Sequence, residues 1–239
     1  MFIIMAPQRK TSREKKQADP INWTKVGAIS IAVLFAVMMA ASLLGTAWIG
    51  GMRTVQPGDL VVIDYTIYNE NDIPVLTTLE VVATEAEEAG NFVYLSGPIE
   101  VSAGYSLPDD MIGIPHRYGK MAPFGLFRTE FQEITSAPIG YKERDRVVVP
   151  FTIESQESPF ESELTEEQIG EMGYPFDELS VGDNIILGFA DSPQFALNDT
   201  EPDIKLRLTF IKEKTDETVL VRYGYSYAVV TINSVTAIS

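Results

Sequence analysis

The chain has 239 residues, with 18 Lys+Arg against 34 Asp+Glu for a formal net charge of −16, one histidine and no cysteine. Without cysteine there is no disulfide framework, thiolate metal centre or cysteine nucleophile, and the lone His116 excludes a multi-histidine zinc site. A chain this acidic is a poor partner for nucleic acid, which selects a cationic face, while 45% apolar residues suffice for a sizeable core.

Charge is unevenly distributed. Residues 1–52 carry Arg9, Lys10, Arg13, Lys15, Lys16 and Lys25 against Glu14 and Asp19, a local balance of +4 that leaves −20 for the remainder. Between these regions Val26–Ile49 runs for 24 residues without a charge, long enough as a helix to cross a bilayer core of about 30 Å. The pattern predicts a basic cytoplasmic tail over 1–25 and a single transmembrane helix over 26–49, with the bilayer itself as a partner. Trp23 and Trp48 fall at its interfaces, and an acidic extracytoplasmic part follows over 53–239. Contacts with other membrane proteins are then open to the helix.

Downstream, hydrophobicity repeats every second residue. Leu60–Tyr68 sets Val61, Ile63, Tyr65 and Ile67 on one face, and Arg146–Ile153 sets Val147, Val149, Phe151 and Ile153 likewise. In Ile204–Ile211 the residues Ile204, Leu206, Leu208 and Phe210 form a dry face opposite a wet face of Lys205, Arg207 and Thr209. Shorter strands are expected at 92–95, 99–103, 184–190, 218–223 and 227–237. Thr84–Ala89 offers a helical turn, and Thr165 with Gln168 forms a capping box that opens a short helix through Met172.

Three loops stand out. Gly104–Phe127, rich in Pro, Gly, Met and aromatics, either folds over a groove or contacts a partner, or packs on its own domain. Glu154–Glu171, with seven glutamates, reads as a solvated boundary between two lobes. Asn198-Asp199-Thr200 matches a glycosylation acceptor. Asp109 with Asp110, and Asp199 with Asp203, lack the spaced oxygen ligands of a calcium loop and read as solvated surface, and His116 reads as a loop histidine. No cofactor is expected.

Several segments in order resemble the FKBP-type prolyl isomerases, in the long archaeal and SlyD-like form with an inserted flap. They are PGDLVVIDYTIYNENDIPVLTT (Pro57–Thr78), EEAGNFVYLSGPIEVSAG (Glu87–Gly104), PIGYKERDRVVVPF (Pro138–Phe151), ELSVGDNIILGF (Glu178–Phe189), KLRLTFIKEKTDETVLVRYG (Lys205–Gly224) and YAVVTINSVTAI (Tyr227–Ile238). The resemblance implies an α+β, mainly β fold: an antiparallel half-barrel with a small inserted β lobe at about 160–225. It implies a folding factor, a prolyl isomerase or holdase acting on unfolded or proline-containing polypeptides, with Tyr65 as the pocket aromatic. The family's pocket Phe-Asp pair is replaced here by Val75 and Leu76. Tyr65 reads equally as a core tyrosine, and the alternative function is a catalytically inactive accessory or cell-surface interaction module. Isomerisation of an X-Pro bond needs no nucleophile or proton shuttle, only a dry, shaped cradle, so the scarcity of His and Cys does not oppose it.

Overall fold

The structure, a computed structural model, describes residues 33–35, 37–39, 53–119, 121–152, 160–190 and 204–238. The chain divides into two units, Met1–Trp48 and Ile49–Ser239. In the first, residues 33–35 and 37–39 are helical and exposed.

The expectation of a transmembrane helix is corrected: among the described residues no helix is long and apolar enough to cross a membrane. Crossing takes about 20 continuous helical residues. Within 26–49 helix is described only at 33–35 and 37–39, and the rest of the stretch, like the basic tail, lies outside the described residues. Single-pass anchoring with an extracytoplasmic C-terminal domain is therefore set aside. The Asn198 acceptor, Asp199, Asp203 and the first residues of the acidic loop also lie outside the described residues.

The expected half-barrel with a small inserted lobe is likewise corrected. Among the described residues the second unit contains two six-stranded sheets and three short α-helices. The first sheet runs β3(Tyr94–Leu95)–β2(Pro74–Thr77)–β1(Leu60–Tyr68)–β12(Tyr227–Thr236)–β7(Arg146–Pro150), with β4(Ile99–Ser102) also on β1. The second runs β5(Met111–Ile114)–β6(Phe124–Phe127)–β10(Lys205–Lys214)–β11(Thr218–Arg222)–β8(Glu161–Thr165), with β9(Asn184–Phe189) also on β10. Each sheet is mixed, since β2–β3 and β6–β10 are parallel pairs. The second sheet is no small appendage, because the Gly104–Phe127 segment contributes β5 and β6 to it.

β1 occupies the centre of the first sheet because its β-branched run suits a pleated strand and its alternate residues are apolar. Val61, Ile63, Tyr65 and Ile67 are all buried. Asn69 ends it: the side-chain oxygen accepts the Asn71 and Ile73 N–H groups, each at 2.9 Å, and Asp72 takes a left-handed φ of 59° to turn the chain into β2. Helix α1(Glu80–Glu88) packs Ala83 and Ala86 against Val93 and Leu95. Helix α3(Glu166–Glu171) opens on the expected capping box, with Thr165 Oγ1 accepting the Gln168 N–H and Gln168 Oε1 accepting the Thr165 N–H.

Helix α2(Arg128–Ser136) is fastened to the second sheet through a buried ion pair. Arg207, on β10, is 0% exposed, contrary to its expected place on a wet face. Its Nη1 and Nη2 each donate to Glu130 of α2 at 2.8 Å. The remaining donors go to carbonyls: Nη1 to Gly125 at 2.8 Å, Nε and Nη2 to Tyr223 at 3.0 and 2.7 Å. The guanidinium lies 4.1 Å from the Phe127 ring centre and 4.2 Å from that of Tyr225. Burial works to lower its pKa, but the facing Glu130 carboxylate, aided by the neighbouring tyrosines, outweighs it and the net shift is upward. The fork is thus fully satisfied, the condition under which a desolvated charge is tolerated.

Candidate functional site

The positions expected to form a pocket are brought together, but inside the core. β1 supplies Tyr65, 1% exposed, and β2 supplies Val75 and Leu76, both 0% exposed. All three belong to one apolar cluster with Ile112, Ile114, Phe124 and Leu126 from β5 and β6, and with Leu208 and Phe210 from β10. Apolar residues of the long Gly104–Phe127 segment thus share one core with the first sheet, and Phe124 meets Tyr94 of β3 with ring centroids 5.1 Å apart. Within the second sheet Gly125 lets β6 sit close to its neighbours, since a Cβ there would meet Met111 Sδ of β5 at 2.8 Å and Lys205 Cβ of β10 at 3.1 Å.

Aromatic rings continue the seal. Phe124 stacks on Tyr225 with centroids 5.9 Å apart and contacts Tyr94 at 5.1 Å, while Tyr94 meets Phe92 edge-on at 5.0 Å. The Tyr225 hydroxyl donates to the Leu208 carbonyl at 3.0 Å. The Tyr65 hydroxyl, by contrast, has no partner in hydrogen-bonding geometry. Ser96 beside it donates to the Gly97 carbonyl. Burial pushes the Tyr65 phenol up to about 12, with the proximity of Ser96 pulling weakly the other way. Burial also raises Tyr94 and Tyr225. Tyr65 is thus a buried phenol, held neutral in the core.

His116 lies between β5 and β6. Its Nε2 donates to the Ala122 carbonyl at 2.9 Å and its Nδ1 accepts the Tyr118 N–H at 3.2 Å, which fixes a neutral tautomer and uses both ring nitrogens within the loop. Asp110 pairs with Arg128. Among the described residues no group of three His, Asp or Glu side chains could hold a metal ion.

A surface groove of about 310 Å³ lies elsewhere, lined by Thr129, Gln132, Glu133, Ser136 and Thr152. The first four are one face of α2, at the i, i+3, i+4, i+7 spacing. The opposite face buries Glu130, Phe131 and Ile134. Glu133 accepts the Thr152 N–H at 3.0 Å, fastening the chain beyond β7 to the helix. This groove had no signal in the sequence beyond the polar stripe itself. Its hydroxyl, amide and carboxylate lining can hydrogen-bond a polar chain but offers no apolar cradle.

Comparison with known proteins adds no family: no family model and no curated protein matches this chain.

Proposed function

We propose that residues 53–239 form a catalytically silent, FKBP-related module whose role is to bind another polypeptide. The observation that carries this reading is the burial of Tyr65, Val75 and Leu76 in one core with side chains of the Gly104–Phe127 segment. Rotation about an X-Pro bond faces a barrier of about 20 kcal/mol, and lowering it by desolvation and shape requires the proline ring to enter a cradle. Here Tyr65 is 1% exposed in one core with Ile112, Ile114 and Phe124, which supports a reading in which a proline ring finds no open cradle at that phenol.

The test is a proline-limited refolding reaction with the full chain added. The expected result is an unchanged slow phase at chain concentrations equal to or above the refolding protein. Dose-dependent acceleration, abolished by a substitution at Tyr65, would overturn the reading in favour of an isomerase. Slowed aggregation without acceleration fits a module that binds unfolded polypeptide.

A further inference from the structure

From the edge of the first sheet we infer a binding surface for an extended polypeptide segment bearing an acidic residue, which adds to β7 as a further strand; this rests on the reading of the chain as an interaction module. Among the described residues β7 is the last strand of its sheet, paired to β12 on one side only. Its Val-Val-Val run has high strand propensity, yet Val148 at its middle is 63% exposed.

The orientation of the backbone groups follows from two hydrogen bonds just past the strand. The Phe151 N–H donates to the Ser226 carbonyl, towards β12, and the next N–H, of Thr152, points the other way to Glu133. Alternation along an antiparallel strand then turns Val149 and Val147 towards β12, and Pro150, Val148 and Arg146 outward. The free edge therefore presents donors at Arg146 and Val148 and acceptors at Arg146, Val148 and Pro150. Pro150 lacks the N–H that would face out, as suits an edge strand, and Glu133 closes the edge at Thr152. The open stretch has the length of a short peptide, and the polar groove along α2 begins where it ends.

Charge selects the occupant. Lys142, Arg144 and Arg146 are exposed and form no ion pair among the described residues, although the chain has 34 carboxylates. Glu143 and Asp145 lie between them, and Asp145 is engaged by the Lys142 N–H at 2.8 Å. A local excess of positive charge thus marks the entrance to the β7 edge, in an otherwise acidic molecule. On an added strand the residues opposite Arg146 and Val148 are two apart and on the same face. The fitting sequence carries an acidic residue facing Arg146 and, two positions away, a β-branched apolar residue facing Val148. Pairing β7 with itself in a second copy would set Arg146 opposite Pro150, leaving the cations unmatched.

The test is fluorescence anisotropy at low salt, with the full chain and a labelled threonine-rich peptide carrying glutamate and valine two positions apart. Lysine in place of that glutamate, or Arg146→Glu in the protein, is expected to weaken binding about tenfold. Val148→Pro removes the outward donor without touching the β12 ladder and is expected to abolish binding, with circular dichroism checking the fold. Arg146→Glu, at an exposed side chain, keeps the test valid if the proline variant does not fold. No binding of the glutamate peptide, equal binding of the lysine peptide, or binding unchanged by Val148→Pro would overturn the inference. So would self-association of the chain that Val148→Pro abolishes, since a second copy would then be the occupant. These outcomes leave the refolding result untouched, so a failed strand addition is distinguishable from a failed module reading.

Discussion

Replacing both members of the Arg207–Glu130 pair should destabilise the fold far less than the sum of the two single replacements. Glu130→Leu leaves a guanidinium 0% exposed without its counter-ion, a change that costs about 3–5 kcal/mol. Arg207→Met leaves a buried carboxylate supported only by the Phe127 N–H at 2.9 Å, and also frees the Gly125 and Tyr223 carbonyls, for a cost of about the same size. In the double variant no charge is stranded. What remains is the loss of partners for those two carbonyls and one N–H, worth about 1–3 kcal/mol apiece at full burial and less where water reaches them.

The double variant should therefore lose about as much as one single variant, giving a coupling energy of about 2 kcal/mol or more. In a unit of this size each kcal/mol moves the thermal midpoint by about 2–4 °C, so each single variant should melt about 6–20 °C lower. Urea denaturation of the four proteins, followed by circular dichroism, measures the cycle, provided the m-values agree. Single-variant losses that add to within about 0.5 kcal/mol would refute the claim that the two charges hold each other in the core.

Two further changes test the packing of the buried interior. Tyr65→Phe removes an unpartnered buried hydroxyl, so stability at neutral pH should be unchanged or slightly higher. Because the folded-state pKa lies above the unfolded value near 10, Tyr65 contributes stability that is complete below pH 10 and lost as pH rises through about 12. Tyr65→Phe should flatten the alkaline fall in stability by on the order of 3 kcal/mol, read from urea midpoints between those pH values. Gly125→Ala drives a methyl to 2.8 Å from Met111 Sδ and 3.1 Å from Lys205 Cβ, and should cost about 1–3 kcal/mol, whereas Gly97→Ala, with open space around it and no left-handed φ, is the control in which that clash is absent.

Strand positions were legible wherever one face is dry and the other is not. β1 occupies the expected Leu60–Tyr68, and β9, β11 and β12 lie within a residue or two of expectation. The capping box at Thr165 was legible because it is local, closed within four residues. Arg207 was misplaced because alternation identifies two faces but not what covers the second. Its cover comes from Glu130 and Phe127, nearly eighty residues earlier in the chain, and no local pattern encodes that. β5 and β6 were hidden by their surroundings: Pro, Gly and Met dominate 104–127, and the apolar residues that make the strands read equally as a loop. The same limit applied to Tyr65, whose position on the dry face of β1 is shared by a pocket residue and a core residue. Only burial separates the two: Tyr65 lies at 1% exposure in one filled core with Ile112 and Phe124.

That filling also weighs against an isomerase that works from a rare open state. Seating a proline against Tyr65 would require Ile112, Ile114, Phe124 and Leu126 to leave the core, all of them at most 8% exposed. Exposing each costs about 1.5–3 kcal/mol, or about 6–12 kcal/mol together, which overlaps the about 5–15 kcal/mol that holds a whole domain folded. Even the lower figure leaves the open state populated at about one part in ten thousand, and apparent affinity falls by the same factor. Withdrawal of β6 would also pull Gly125 from Arg207, adding the loss of a hydrogen bond to a buried charge. Binding by the β7 edge, as inferred above, displaces no core residue, because among the described residues no strand pairs with that side of β7.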